Sequence, residues 1–374
     1  MSQLNCLPQE AVLWGHDLLP AALARLPGMG FARPITFTAP PLLALYREHV
    51  EPHLSHAVGT VTDLPAHVPD VAVHTALDAC IRAEAGSIVA LGGGSVLDAA
   101  KAVSHLHQQR TGRHLPIAAL PTTLSGSEFS HYFGITETRS AQKFKRSYAV
   151  RETVPRLVVM DPVLIRDTPR ALLLTSAIKG MDHAVEGMRK VNRDHPHAIM
   201  AASGVARFFS VLEKWPREPG VETREAIASG QMGMDDLLQL QLAAWQCYFA
   251  PASVIYGLSH RIGHILGGTF GLPHSATSCI TLAPVIRACA GFYGDKLAGL
   301  GGDDREEGAA SRLADRIARS VSALGLPERV GTFDLDRTCL AEVSRLLLAS
   351  YPDEVADLGP DAAVKLDALL ESLW

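Results

Sequence analysis

The segment VALGGGSVLDAAKAV, residues 89–103, decides the fold of the first half of this 374-residue chain. An apolar run ends in Gly92, Gly93 and Gly94, and a helical pattern starts directly after them. Glycines let the backbone turn sharply out of a strand and approach a ligand without an intervening side chain. Ser95 can cap the helix, whose free N–H groups and dipole favour a phosphate. The segment predicts a strand, a glycine turn and a helix that together bind a pyrophosphate.

The glycine turn alone leaves a structural alternative open, because glycines follow strands in α/β proteins of many functions. It also departs from the GxGxxG fingerprint of the ordinary dinucleotide-binding unit. Support comes from LPTTLSGSEFSHYFGITE, residues 120–137, where a strand ends in hydroxyl side chains. Hydroxyls at the carboxyl end of a strand suit contacts to a dinucleotide in the adjoining crevice. The alternative here is a surface loop rich in serine and threonine.

The end of an early strand normally carries an acidic residue that holds the adenosine ribose and rejects a 2′-phosphate. PITFTAPP, residues 34–41, offers Thr38 and Ala39 at that place. The expected cofactor is therefore NADH or NADPH. The predicted cofactor-binding residues are Thr38, Gly92, Gly93, Gly94, Ser95, Asp98, Thr122, Thr123, Ser125 and Ser127.

Short apolar runs alternate with helical patterns on both sides of the glycine turn. The expected strands are PITFTA (34–39), AVGTVT (57–62), SIVALGGGS (87–95), LPIAALPTT (115–123) and RLVVMDP (156–162). The expected helices between them are LLALYREHVEPHL (42–54), HTALDACIRAEA (74–85) and LDAAKAVSHLHQ (97–108). This alternation predicts a parallel sheet covered by helices.

The second half of the chain has a different sequence pattern, with apolar residues at helical spacing throughout. The clearest examples are residues 171–190, 197–215, 234–254 and 310–325. The Gly-rich acidic stretch 299–310 is expected to be an exposed loop between helices. We therefore predict two domains, an α/β dinucleotide-binding domain over residues 1–162 and a helical catalytic domain over residues 163–374.

Composition narrows the functional classes. An apolar fraction of 47% supports a sizeable core, and a net charge of −5 without a basic stripe argues against nucleic-acid binding. No signal peptide and no apolar stretch of membrane-spanning length is apparent, so a cytoplasmic protein is expected. The six cysteines lie far apart without a CxxC pair, which argues against a zinc knuckle, a redox motif or a disulfide scaffold.

A histidine cluster marks the second half. SHRIGHILGGTFGLPHS, residues 259–275, contains His260, His264 and His274. In SAIKGMDHAVEG, residues 176–187, Lys179 and His183 share one helical face with Glu186 close by, whereas Asp182 faces about 100° away from His183 and is the poorer carboxylate candidate. Imidazoles that converge between helices can bind a divalent transition metal. Each histidine taken alone could equally be a hydrogen-bonded structural residue.

The ordered set of motifs resembles the iron-dependent alcohol dehydrogenase superfamily, and within it the maleylacetate reductase branch. The set comprises ALGGGSVLDAAKAV (90–103), LPTTLSGSEFSHYFGITET (120–138), KRSYAVRETVPRLVVMDPVL (145–164), SAIKGMDHAVE (176–186) and LSHRIGHILGGTFGLPHS (258–275). The resemblance implies the dehydroquinate synthase-like fold of that superfamily, with an N-terminal α/β dinucleotide-binding domain on a parallel sheet and an all-α C-terminal domain. It also implies a homodimer.

Metal-dependent members of the superfamily hold their ion with an Asp and with the histidines that match His183, His260 and His274. The histidine that matches His264 lies near the nicotinamide and the substrate. In this chain Lys179 occupies the position of the Asp. A protonated amine does not coordinate a cation, so no metal is expected, although a neutral lysine or a shift to Asp182 would restore a site.

The resemblance implies that maleylacetate reductases work without metal and carry a neutral amide at the position of Lys179. The chain departs from that branch at Lys179 and again at Ser259, Ala276 and Ser278, where the branch tends to carry His, Glu and His. These departures surround the substrate. The type of reaction is therefore better defined than the identity of the substrate.

The leading hypothesis is an NAD(P)H-dependent reductase of a small anionic oxo-acid, which reduces the conjugated C=C of maleylacetate to give 3-oxoadipate. Lys179, with His183, His260 and His274 as neighbours, would stabilise the negative charge that develops on the ketone oxygen. His264, or a water that it holds, would donate the proton to the adjacent carbon.

Four alternatives stay open at this point. The same groups could reduce a plain keto or aldehyde group in a different acid. A metal-dependent alcohol or aldehyde dehydrogenase would use His183, His260 and His274 as ligands. A dehydroquinate-synthase-like lyase would need an intact metal site and a set of basic phosphate-binding residues, neither of which is apparent. A member that binds nucleotide without turnover is the fourth.

Overall fold

The computed structural model describes residues 6–65, 68–138, 144–218, 220–249, 255–302 and 305–374, without the side chains of Phe144, Lys145 and His274. The chain divides into two compact units, Met1–Thr168 and Pro169–Trp374. The sequence placed this boundary at residue 162.

Unit 1 is built on a six-stranded sheet in which every neighbouring pair is parallel. Its strands are β1 (Ala11–Trp14), β2 (Pro34–Phe37), β3 (Gly59–Val61), β4 (Ser87–Gly92), β5 (Ile117–Pro121) and β8 (Leu157–Met160), in the order β1-β8-β5-β4-β2-β3. The four inner strands are buried along their whole length. Their nearly continuous apolar runs are typical of parallel strands covered on both faces. The predicted parallel sheet is confirmed.

The helices of unit 1 cover this sheet. They are α1 (Leu19–Ala24), α2 (Leu43–Leu45), α3 (Asp70–Arg82) and α4 (Gly94–Thr111). The segment predicted as one helix over residues 42–54 mixes three helix types, because α2 lies within 3-10 and π turns that run from Pro40 to His53. Residues of α1 and of this segment pack on apolar side chains of β4, β5 and β8 to form one core cluster.

A two-stranded antiparallel hairpin, β6 (Tyr132–Glu137) and β7 (Phe144–Ala149), stands apart from the sheet. The Phe133 and Tyr148 rings stack on it with centroids 5.3 Å apart. Neither this hairpin nor the edge strand β1 was predicted.

The strand order creates a switch point between β2 and β4. The chain adds β3 on one side of β2 and then returns to add β4 on the other side. In open parallel sheets, ligands bind outside the carboxyl ends of the strands at such a point. Thr38, which follows β2, and Gly93, which follows β4, lie on the two sides of the switch point.

All the regular secondary structure described in unit 2 is helical. Its helices are α5 (Arg170–Gly187), α6 (Pro196–Leu212), α7 (Thr223–Ala228), α8 (Met234–Cys247), α9 (Leu258–Phe270), α10 (His274–Ala288), α11 (Ala290–Tyr293), α12 (Ala309–Ala323), α13 (Cys339–Ser350), α14 (Pro352–Val355) and α15 (Ala362–Ser372). Helix α5 is central, since all its residues from Leu173 to Gly187 are buried and it packs against α6, α8, α9 and α10.

None of the helices in the described ranges combines the length and apolarity that a membrane crossing requires. All six cysteines lie in the described part of the chain and are free thiols.

Candidate active site

The turn between β4 and α4 is formed by the three glycines. Helix α4 begins at Gly94 with Gly93 as its N-cap, and no side chain caps it. The prediction that Ser95 caps the helix is wrong, because the helix begins at Gly94, two residues before the start that a Ser95 cap requires, and Ser95 lies inside its first turn. The first backbone N–H groups of α4 are therefore not capped by a protein side chain.

Close packing requires the glycines. A Cβ on Gly92 would lie 2.6 Å from Val96, and one on Gly93 would lie 2.8 Å from Cγ2 of Thr123. A Cβ on Gly94 would lie 3.1 Å from the Ser125 hydroxyl. None of the three glycines has a positive φ. Gly93 and Gly94 are needed because the turn lies directly against the loop that follows β5, and Gly92 is needed because it packs on Val96 of α4.

The predicted cofactor-binding residues therefore gather at the carboxyl ends of β2, β4 and β5. The Thr122 amide donates to the Gly92 carbonyl at 3.1 Å, which joins the two loops. Thr38 is fully buried, and its hydroxyl has no hydrogen-bond partner among the described residues.

Asp98 and Ser127 contact each other and the buried ammonium of Lys101. The sequence analysis did not predict a role for this lysine. The Ser127 hydroxyl donates to Asp98 at 2.5 Å. The ammonium of Lys101 is fully buried, 3.2 Å from the Asp98 carboxylate, and donates to Ser127 Oγ at 2.7 Å. It also donates to the carbonyls of Ser127, Ser130 and Tyr132. Burial lowers the pKa of Lys101, while Asp98 opposes that shift. The signal for this lysine was its place on an alanine-rich helix face, three residues after Asp98.

In unit 2, one face of α5 carries four ionisable residues. They are Lys179, Asp182, His183 and Glu186, all buried. Spacings of three and four residues place side chains on the same side of a helix.

His260, near the start of α9, is held by this face. Its Nδ1 lies 2.6 Å from Glu186 Oε2 and 3.3 Å from Asp182 Oδ2. Its backbone N–H donates to Glu186 Oε1 at 3.2 Å. Burial lowers the pKa of His260, but the charges of Asp182 and Glu186 outweigh this and raise it to about 9. Burial, together with the neighbouring Asp182, raises the pKa of Glu186.

Asp182 lies within the histidine cluster, and the expectation that it faces away is wrong. Its Oδ2 accepts hydrogen bonds from Ser259 at 2.9 Å and from Ser278 at 2.7 Å. Because α5 is buried on all sides, a 100° rotation from His183 points Asp182 toward other helices and not toward solvent. Ser259 and Ser278 are two of the residues that depart from the maleylacetate reductase pattern.

His183 and His260 face each other directly, with their Nε2 atoms 2.9 Å apart. The His183 ring also lies 4.3 Å from the Tyr248 ring and 5.9 Å from the Tyr256 ring, measured between centroids. Neither tyrosine was predicted, because both are far from His183 in the sequence and only the packing of α5 brings them together.

His264 and His274 are the other two predicted histidines. The His264 ring lies 6.1 Å from the His260 ring and is half-buried. His274 is the first residue of α10, and its side chain lies outside the described part of the structure. Among the described residues, the group with metal-ligand geometry is Asp182, Glu186 and His260, whose ligand atoms lie within 4.8 Å of one another.

Comparison with known proteins adds independent information. Residues 10–162 match the family model described as iron-containing alcohol dehydrogenase. The chain is 32% identical over 353 residues to a maleylacetate reductase of Pseudomonas aeruginosa, covering 89% of this chain and 94% of that protein. The chain belongs to the iron-containing alcohol dehydrogenase family. The resemblance read from the motifs is confirmed, and the protein is an oxidoreductase.

Several solved structures share the fold of this chain. The crystal structure of maleylacetate reductase from Agrobacterium tumefaciens matches with a TM-score of 0.80 at 22% identity, covering 100% of this chain and 99% of that one. Sulfoacetaldehyde reductase from Bifidobacterium kashiwanohense, solved with NAD+, matches with a TM-score of 0.82 at 19% identity, covering 100% and 99%. The predicted α/β domain with a helical second domain is confirmed as the architecture of this family.

Proposed function

We propose that this protein is an NAD(P)H-dependent, metal-independent reductase of a small anionic oxo-acid, with maleylacetate as the first candidate. The observation that carries the proposal is the buried Lys179. It lies on the same face of α5 as His183, which contacts His260. It stands in a chain 32% identical to a maleylacetate reductase.

The carboxyl edge of the unit 1 sheet fits a dinucleotide. The open N-terminus of α4 provides N–H groups and a positive dipole end for a pyrophosphate. The unpartnered Thr38 hydroxyl and the half-exposed Ser125 are further polar groups at the same edge. Ser127 and Asp98 are bonded to each other and to Lys101, so they are proposed to fix the shape of this site. A bound NADH or NADPH supplies the hydride.

The ligand set of unit 2 departs from a metal site of this family at Lys179, and most of its carboxylate oxygens already accept hydrogen bonds. Both oxygens of Glu186 already accept hydrogen bonds, from the amides of Gly257 and His260. Oδ2 of Asp182 accepts two hydroxyl hydrogen bonds, whereas its buried Oδ1 has no hydrogen-bond partner among the described residues. The family's first ligand position holds Lys179, whose ammonium would repel a cation at close range. These contacts support a reaction without metal.

The residues of unit 2 are proposed to act on the ketone of the substrate. Addition of hydride to the alkene carbon remote from the ketone develops negative charge on the ketone oxygen. Lys179 is proposed to stabilise that charge, since fixed donors aimed at developing charge are usually the largest catalytic contribution. His264 is proposed to deliver a proton to the alkene carbon next to the ketone. The hydride and this proton together give the saturated oxo-acid.

Clamping by Asp182 and Glu186 gives His260 a second role in this proposal. Its charge is balanced by the carboxylates, and both of them fix the Nδ1 edge of its ring. A fixed His260 holds His183 in place through the Nε2 contact, so the imidazoles do not need to reorganise during the reaction.

The decisive experiment is a turnover assay with purified protein, maleylacetate, and NADH or NADPH, with the product identified by mass spectrometry. We expect oxidation of the nicotinamide and formation of 3-oxoadipate. If the protein turned over simple aldehydes or ketones but not maleylacetate, its reaction would be the reduction of a carbonyl group and not of a C=C bond. Absence of turnover with any oxo-acid despite nucleotide binding would overturn the proposal.

Metal analysis of the same preparation tests the second part of the proposal. We expect substoichiometric iron and zinc, and turnover that a chelator leaves unchanged. Near-stoichiometric metal that is lost together with activity would favour the metal-dependent alcohol dehydrogenase alternative, with Asp182, Glu186 and His260 as the available ligands. The homodimer and the cytoplasmic location stay predictions.

A further inference from the structure

Tyr256 contacts three of the histidine rings in unit 2. Its ring centroid lies 5.9 Å from that of His183, 5.2 Å from that of His260 and 5.4 Å from that of His264. The three imidazoles are those that the proposed function places around the substrate. Tyr256 is only half-buried, so part of its surface is not covered by the cluster.

A buried ion pair holds the backbone of Tyr256. Arg189 donates to both carboxylate oxygens of Asp357, at 2.5 Å and 3.0 Å, and both side chains are buried. The remaining arm of the guanidinium, Nη1, donates to the Tyr256 carbonyl at 2.9 Å. Two-armed pairing of this kind fixes the plane of the guanidinium, so the direction of the third bond is fixed as well.

The next residue is clamped from the opposite side. The Gly257 amide donates to Glu186 Oε2 at 2.6 Å. A Cβ on Gly257 would lie 2.7 Å from Oε1 of Glu186 and 2.9 Å from Cδ of Arg189. The backbone at residues 256 and 257 therefore fits tightly between the side chains of Glu186 and Arg189. These two residues follow His183 in the sequence by three and six positions.

The Tyr256 ring is also supported by the segment that contains Asp357. The guanidinium carbon of Arg261 lies 5.3 Å from the Tyr256 ring centroid and 4.4 Å from that of Tyr351. Arg261 is fixed by Glu354, which accepts from its Nε at 2.9 Å. Residues 351–357 thus support Tyr256 at its carbonyl, through Arg189, and at its ring, through Arg261.

We infer that Tyr256 is a specificity-determining residue that forms one wall of the substrate site, and that Arg189 and Asp357 are positioning residues that act through it. The inference rests on the proposed function, because it needs a substrate at the histidine cluster. A buried ion pair adds little net stability compared with an apolar pair of the same size, so its contact with the Tyr256 carbonyl indicates a positioning role and not mainly a stabilising one. A rigid aromatic wall beside the imidazoles limits the size of the substituents that an oxo-acid can carry.

The first test compares maleylacetate with a methyl-substituted maleylacetate in wild type and in Tyr256→Ala. Removal of the ring is expected to raise KM for maleylacetate about tenfold, which corresponds to the loss of one aromatic contact, and to change kcat much less. The ratio of kcat/KM for the larger to the smaller acid should rise. Tyr256→Phe keeps the ring and should move this ratio less than Tyr256→Ala does.

The second test is a double-mutant cycle. Asp357→Asn should shift the same ratio in the wild-type background and leave it unshifted in the Tyr256→Ala background, because its effect passes through the tyrosine. Arg189→Lys, which keeps the charge but loses the two-armed geometry, should behave in the same way if Asp357→Asn does not fold. Glu371→Gln, which removes the exposed pair with Arg337, is the matched control.

The outcomes separate the inference from the function on which it rests. Active wild type with an unchanged ratio in Tyr256→Ala overturns the specificity role. Equal shifts by Asp357→Asn in both backgrounds overturn positioning through Tyr256. Wild type without turnover of either acid overturns the proposed function itself and the inference with it.

Discussion

The Nε2 atom of His183 lies 2.9 Å from the Nε2 atom of His260. Only one nitrogen of such a pair can donate the proton. Because Asp182 and Glu186 outweigh the effect of burial and raise the pKa of His260 to about 9, His260 is the charged partner at neutral pH and donates to His183.

The pH dependence of stability tests this assignment. The pKa of His260 rises on folding from 6.5 to about 9, so its contribution to stability is complete below pH 6.5 and is lost as the pH rises through about 9. Asp182→Asn removes one of the two charges, lowers the pKa of His260 and should move this loss to lower pH. Thermal unfolding midpoints across this range measure the effect. Asp315→Asn, at the exposed pair with Arg287, should follow wild type.

Lys179→Met tests the charge at the centre of the proposed reaction. Methionine matches the aliphatic part of the lysine side chain and removes the ammonium. Turnover should fall by at least about tenfold, since removing one donor from a developing oxyanion typically lowers kcat by about 10²–10³-fold. Steady-state kcat for maleylacetate measures this, with Lys214→Met at the exposed pair with Asp236 as the control. A kcat equal to that of wild type would remove Lys179 from the mechanism.

Lys101→Met should destabilise unit 1. The variant leaves the carbonyls of Ser130 and Tyr132 without their buried donor and Asp98 without its counter-charge. Removing one partner of a buried ion pair costs about 3–5 kcal/mol of unfolding free energy. Denaturant unfolding monitored by circular dichroism gives the value. A loss below about 1 kcal/mol, the level of an exposed pair, would contradict a structural role for this lysine.

The sequence predicted the parallel sheet because its inner strands are apolar on both faces, as in SIVALG and IAALP. It did not predict β1 or the β6–β7 hairpin. Strand β1 has four residues at the edge of the sheet, too few for a periodic signal. The hairpin begins in a stretch rich in serine and threonine, which was interpreted as ligand contacts, and the burial of β6 does not alternate along the strand.

The site was predictable where its signal was local. The four-residue spacings of Lys179 with His183 and of His260 with His264 indicated shared helix faces, and the structure brings His183 and His260 together. Tyr256 had no such signal, since its contacts are set by the packing of α5 against α9. The orientation of Asp182 was predicted wrongly because the prediction treated α5 as an amphipathic helix with an exposed face. Helix α5 has no exposed face at this position.

Gly93→Ala tests the packing of the nucleotide site. The added Cβ would lie 2.8 Å from Cγ2 of Thr123 and would push the loop after β5 away from the turn. We expect KM for NADH to rise about tenfold, the effect of displacing a ligand-positioning loop by a fraction of an ångström. Gly93→Ala with Thr123→Ser, which removes Cγ2, should recover part of the loss. Gly28→Ala, where nothing lies within 4 Å, is the control. A double variant as impaired as the single one would contradict the steric explanation.

Ala39→Asp tests the choice between the two nicotinamide cofactors. Ala39 follows the unpartnered Thr38 after β2 and is half-buried, at the place where an acidic residue would meet the adenosine ribose. An aspartate there should leave NADH usable and repel the 2′-phosphate of NADPH, because two negative groups at close range in a partly desolvated site repel strongly. The ratio of kcat/KM for NADH to that for NADPH should rise at least about tenfold, which corresponds to 1.4 kcal/mol. Ala39→Asn has nearly the same size without the charge and should leave the ratio close to that of wild type. Equal losses with both cofactors in Ala39→Asp would place the adenosine ribose elsewhere on unit 1.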